Sequence, residues 1–204
     1  MKFSIRIVLM MLIFTIPSSF VFGADPRKMS PDELYTIWED INPQLAYDVA
    51  FSGAMYISKM TIEEIKKEFN GVMGTLWTQD KQVPHIMIIS CEDDVYIAHP
   101  YPELKELYKI KNFMSKYLDT KGRAVGPALC NGIKSHPKGY VVEQHQHWFN
   151  ATGPITNFLF VFQVPGRNFQ TFTPFVSRTH TAEALNAMIP KWYDEAKKKF
   201  DRLK

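Results

Sequence analysis

The sequence predicts an α+β domain in which helices lead, an antiparallel sheet of about five strands follows, and one helix closes the chain. Two helix-start signatures lie close together before residue 65. From residue 84 the apolar residues fall into short strand-like runs separated by turn residues. The last stretch returns to helical spacing.

Ser30-Pro31-Asp32-Glu33 is the first start signature, with Ser30 as N-cap, Pro31 at the first helical position and Glu33 closing a capping box. Leu34, Ile37, Trp38 and Ile41 continue it at helical spacing, and Asn42-Pro43 breaks or kinks it and starts another helix through Phe51. Thr61-Ile62-Glu63-Glu64 is a second capping box, and Asn70-Gly71 suits a left-handed helix end. The helical lead therefore spans 30–75. The sheet core spans 84–176: His85 to Ile89, a turn at Glu92-Asp93-Asp94, then Val95 to Ala98 as a hairpin partner. Residues 101–135 form a mixed excursion that contains the turn Asp119-Thr120-Lys121-Gly122. Tyr140 to Trp148, Asn157 to Val164 and Asn168 to Phe175 supply three further strands, the last two joined at Pro165-Gly166. The closing helix occupies 180–203, with Leu185, Met188, Ile189, Trp192, Ala196 and Phe200 on one face and a kink expected at Pro190.

Residues 1–23 have the order of a signal peptide. Lys2 and Arg6 precede an apolar run from Ile7 to Ile16, Pro17-Ser18-Ser19 ends it, and Val21 and Gly23 fit a cleavage site before Ala24. This predicts export to the periplasm or extracellular space as one domain over 24–204, without a membrane span in the mature chain. Without Lys2 and Arg6 the formal charge falls from +3 to +1, which gives no reason to expect nucleic acid as a partner. Cys91 and Cys130 form a disulfide or stay as two buried thiols; their spacing does not decide. Neither a Gly-x-Ser-x-Gly elbow nor a phosphate-binding glycine loop nor a dinucleotide fingerprint occurs, so no enzyme activity and no cofactor is expected.

Four stretches resemble the single Cache domain, a PAS-like extracytoplasmic small-molecule sensor. They are Val95-Tyr96-Ile97-Ala98-His99-Pro100 with Pro102-Glu103-Leu104 after it, Asp119-Thr120-Lys121-Gly122-Arg123, Gly139-Tyr140-Val141, and Val164-Pro165-Gly166-Arg167-Asn168-Phe169. Three positions depart from that pattern: Cys91 to Asp94 in the first turn, Asn157 in place of a basic residue, and Pro174 in place of a glycine. The resemblance implies a stand-alone sensor module for a small organic acid or similar metabolite, acting through a membrane-bound receptor or kinase.

On a strand, Glu143, His145 and His147 share one face. The ligand-lining candidates are Tyr96, Tyr101, Arg123, His145, His147 and Trp148, expected around a cavity between the sheet and the 101–135 excursion. Two other readings stand beside this one. A carboxylate with two imidazoles offers a metal site at Glu143, His145 and His147, for a metal-binding protein or metal-dependent enzyme. The same fold with a filled pocket would be a ligand-free interaction protein.

Overall fold

Both capping boxes close in the computed structural model, which describes residues 30–39, 41–69, 85–99, 112–132, 135–147 and 153–202. Ser30 N–H donates to Glu33 Oε2 at 2.7 Å, and Glu33 N–H donates back to Ser30 Oγ at 3.3 Å. The first helix, α1 (Pro31–Glu39), thus starts with amides satisfied that its own turns leave unpaired. Thr61 and Glu64 make the same reciprocal pair at 2.8 and 3.2 Å ahead of α3 (Ile62–Phe69). Between them, α2 (Pro43–Ile57) is capped by Asn42, whose side chain accepts from Gln44 N–H. It runs past the expected end at Phe51 because Gly53, Ala54 and Ile57 are buried as well. Residues 1–23, expected to be a signal peptide, and the helix end expected at Asn70-Gly71 lie outside the described residues.

The strands are β1 (Met87–Ser90), β2 (Val95–Ala98), β3 (Tyr140–His147), β4 (Pro154–Gln163) and β5 (Phe169–Val176). They form one five-stranded sheet in the order β2-β1-β5-β4-β3, with every neighbouring pair antiparallel. Fold class and strand number are as the sequence predicts. β1 begins at Met87 rather than His85. β4 begins at Pro154, ahead of the expected Asn157, with Pro154 opposite His147 at the strand's first position, where a proline is tolerated.

The closing helix α6 (Ala182–Asp201) starts at an N-capping Thr181 and continues unbroken through Pro190, so the expected kink does not end it. Pro190 is exposed, while Leu185, Ile189, Trp192 and Ala196 hold the opposite face in the core. Met188, expected in that buried row, faces solvent instead; it sits at the margin of the stripe that those four define.

Two cores result, mostly one on each face of the sheet, with Ile155 and Val176 joining the helix-side cluster at the far ends of β4 and β5. On the helix side, Phe158, Phe160, Phe162 and Phe175 pack with Tyr47 and Phe51 of α2 and Trp192 of α6. Phe51 and Phe162 meet edge to face at 5.2 Å. On the other side, Met87, Ile89, Tyr140, Leu159, Val161 and Phe172 pack with Val125 and Leu129 of the excursion. The described part of that excursion holds two short helices, α4 (Phe113–Lys116) and α5 (Val125–Asn131). A disulfide between Cys91, in the β1–β2 turn, and Cys130, in α5, ties it down and settles the cysteine question. Gly139 leads into β3 with φ +90°, and a Cβ there would stand 2.9 Å from Val161 O, so only glycine fits. No helix among the described residues is long and apolar enough to cross a membrane.

Candidate functional site

Strand register decides which side chains meet. β3 and β4 pair without a break from Tyr140↔Val161 to His147↔Pro154. Val141 belongs to the helix-side core, whereas Tyr140 and Val142 pack on the excursion side. Alternation therefore turns Glu143 and His145 to the helix side, and Gln144 to the excursion side.

The Asp119 turn reaches the outer edge of β3. His145 N–H donates to Asp119 Oδ2 at 3.2 Å, and Thr120 N–H donates to His145 O at 2.7 Å. Asp119 also accepts from the N–H groups of Lys121 and Arg123, and from Arg123 Nε, each at 2.9 Å. Burial opposes ionisation of this carboxyl, but the donated hydrogen bonds outweigh it and hold its pKa well below the carboxylate range. Gly122, at φ +75°, lets the turn close. Beyond it, His145 Nε2 lies 2.7 Å from both Glu143 Oε1 and Lys121 Nζ, and its Nδ1 lies 3.3 Å from Thr156 Oγ1. Arg123 is within 3.7 Å of Glu143. This is a charged clasp whose groups already hold one another.

Of the six ligand-lining candidates, the structure brings Arg123 and His145 together, through Asp119 and Glu143. Tyr96 stands on β2, at the opposite edge of the sheet and on its other face. His147 is placed by its backbone alone; its side chain, Tyr101 and Trp148 lie outside the described residues. Instead of lining a cavity between sheet and excursion, the His145 imidazole lies on the face opposite the excursion-side core and meets the excursion only at the strand edge, through Lys121. Glu143 and His145 share a face as expected, but they pair with each other. Among the described residues no three histidine, cysteine, aspartate or glutamate side chains gather as metal ligands would.

The excursion side carries a different set. Tyr96 packs edge-on against His99, with centroids 5.2 Å apart, and tilted against Phe172 at 6.1 Å. His85 and His99 are both buried, and Tyr117 lies close enough to Tyr96 to help hold its phenol neutral. Further across the same face, Gln144 of β3 stands directly opposite Asn157 of β4. They are 5% and 1% exposed, and Asn157 Oδ1 accepts no hydrogen bond. Gln170 Oε1, nearer the β4–β5 turn, is also unpartnered. Buried polar atoms are nearly always paired, so the orphan acceptors of Asn157 and Gln170 stand out on this face, as Thr173 Oγ1 does on the helix side. The Glu-x-His-x-His pattern at 143, 145 and 147 does not mark Gln144. The available signal was a polar residue at 144 and another at 157, on strand faces otherwise filled by Val142, Leu159 and Val161.

His99 gives this face a pH dependence. Burial, and then the neighbouring His85, push its pKa well below 6.5, so it is neutral in the folded protein. The unfolded chain takes up a proton below about pH 6.5 that the folded chain refuses, so stability falls as pH drops through that value, by up to ~1.4 kcal/mol per unit. Urea unfolding between pH 7.5 and 5 is expected to show this slope. His99→Gln is expected to flatten it; an unchanged slope in that variant assigns the effect elsewhere.

No family model and no curated protein matches this chain. Two solved structures are similar to it. One is a Cache chemosensory domain described with carboxylic acid recognition, at 16% identity and TM-score 0.42, covering 72% of this chain and 92% of that one. The other is a periplasmic sensor domain of a chemotaxis protein, at 13% identity and TM-score 0.43, covering 72% and 95%.

Proposed function

We propose that this chain is an extracytoplasmic small-molecule sensor module. It binds its ligand on the excursion side of the sheet and signals through a membrane-bound receptor or kinase, without chemical transformation of the ligand. The observation that carries this reading is the buried Gln144–Asn157 pair with an unanswered acceptor, on strands whose same face packs Val125 and Leu129 of the disulfide-tethered excursion further along. Such a mix of apolar walls and a few polar groups is what small-molecule sites use. The sequence motifs shared with single Cache domains agree with it.

Of the residues first expected to line the site, Tyr96 remains on this face, while Arg123 and His145 serve the clasp at the β3 edge. The test is a thermal-shift screen of the whole mature protein against organic acids, amines, amino acids, amides and nucleobases. A true ligand at ~100 times its dissociation constant is expected to add ~2.7 kcal/mol. A panel in which no class moves the transition supports the ligand-free interaction protein instead.

A further inference from the structure

We infer that Gln144 and Asn157 act as a paired carboxamide selector for an uncharged ligand that presents a hydrogen-bond donor beside an acceptor, such as a primary amide, a lactam or a nucleobase edge. The inference rests on the sensor reading above and names the ligand class for that same face.

Three observations lead to it. First, the two side chains are direct cross-strand partners on one face, a placement that sets Cβ atoms about 5 Å apart. Second, both are more than nine-tenths buried, and Asn157 Oδ1 has no hydrogen bond. A carboxamide oxygen buried without a donor loses its contacts with water and gains none in return. A ligand that both donates and accepts in one plane completes it, because each carboxamide offers an acceptor oxygen next to an N–H donor. Third, the cations that the Asp119 turn brings to the edge of β3 are already engaged there. Arg123 is bound to Asp119 and Glu143, and Lys121 to His145. A carboxylate docked on the pair would set its charge against the orphan carbonyl oxygen of Asn157, acceptor against acceptor. Tyr96, held neutral by its burial, adds a phenol and no charge to the same face.

The experiment uses matched probes that differ only in charge: nicotinamide against nicotinate, benzamide against benzoate, and propionamide against propionate, with uracil added. Each is tested by thermal shift on the mature protein and on Asn157→Leu and Gln144→Met. At least one neutral probe is expected to raise the wild-type midpoint by several degrees, with its carboxylate partner inert at the same concentration. In each variant the affinity for that probe is expected to fall at least 10-fold. A readout without ligand accompanies this: Asn157→Leu is expected to leave the unliganded midpoint unchanged or higher, since it removes an orphan acceptor. A clear drop makes Asn157 a structural residue and overturns the inference. Shifts from the carboxylates alone overturn it while leaving a binding module intact. Silence from these probes, with a hit elsewhere in the broad screen, does the same. Silence across the broad screen overturns both readings.

Discussion

Replacing both Cys91 and Cys130 by alanine is expected to lower unfolding stability by about 4 kcal/mol, the loop-closure value for a bridge that spans 39 residues. The closed loop contains β2 and the excursion up to α5, so the unfolded chain gains its freedom where the fold needs most order. The folded side of the comparison is equally specific. Val125 and Leu129 of α5 pack on Met87, Ile89, Leu159 and Phe172, while Cys130 fastens the same helix to the β1–β2 turn. Urea unfolding of the oxidised protein and the double variant measures the difference, with the midpoint moving and the slope nearly constant. A loss below ~1 kcal/mol would mean that apolar packing alone holds the excursion. The bond also suits the expected export, since disulfides persist in oxidising compartments.

The second large effect is expected at Asp119. Its carboxylate accepts from the N–H groups of Lys121, Arg123 and His145, and from the Arg123 guanidinium. Asp119→Ala removes all of these at once and strands backbone donors at the turn and at the edge of β3. A loss of about 3 kcal/mol is expected, because hydrogen bonds to a charged group are worth ~1.5–3 kcal/mol and buried donors left alone cost further. Asp119→Asn is expected to fall between the two. Its oxygen can keep Lys121 and Arg123 N–H, but its amide then meets the N–H of His145 and the Arg123 side chain, donor against donor.

The pH dependence has a definite sign. Asp119 has a depressed pKa in the fold, so its contribution is fully present above the ordinary carboxylate value of about 3.9 and is lost as pH falls through the lower native value. The gap between the unfolding midpoints of wild type and Asp119→Ala, measured from pH 6 to 2, should therefore narrow once pH falls below about 3.9. A gap that stays constant down to pH 2 would show that the ionised carboxylate is not the source.

The sequence and the structure agree where local chemistry decides. Ser30 with Glu33 and Thr61 with Glu64 form the reciprocal caps that their spacing implies. The Pro165-Gly166 turn joins β4 to β5, and the phenylalanines at 158, 160 and 162 fill one core by simple alternation. Alternation also put Glu143 and His145 on one face correctly. It could not say which face the excursion covers, because that depends on how a distant segment packs, and a wrong choice exchanges every inward and outward residue. The same limit hid Gln144 beside Asn157: their meeting requires the β3–β4 register, which no local motif encodes. Pro190 lies inside a helix that stays continuous across it. Its local cost is real, but the buried row from Leu185 to Ala196 holds the helix on both sides of it.

The outer side of β3 has one further consequence. Asn186 of α6 accepts from Val141 N–H at 2.9 Å and donates to Val141 O at 3.4 Å, and the Asp119 turn engages both backbone groups of His145. These are the groups with which a terminal strand would template another chain. A foreign strand approaching here finds the docking positions at 141 and 145 already occupied, which disfavours edge-to-edge pairing of copies along β3.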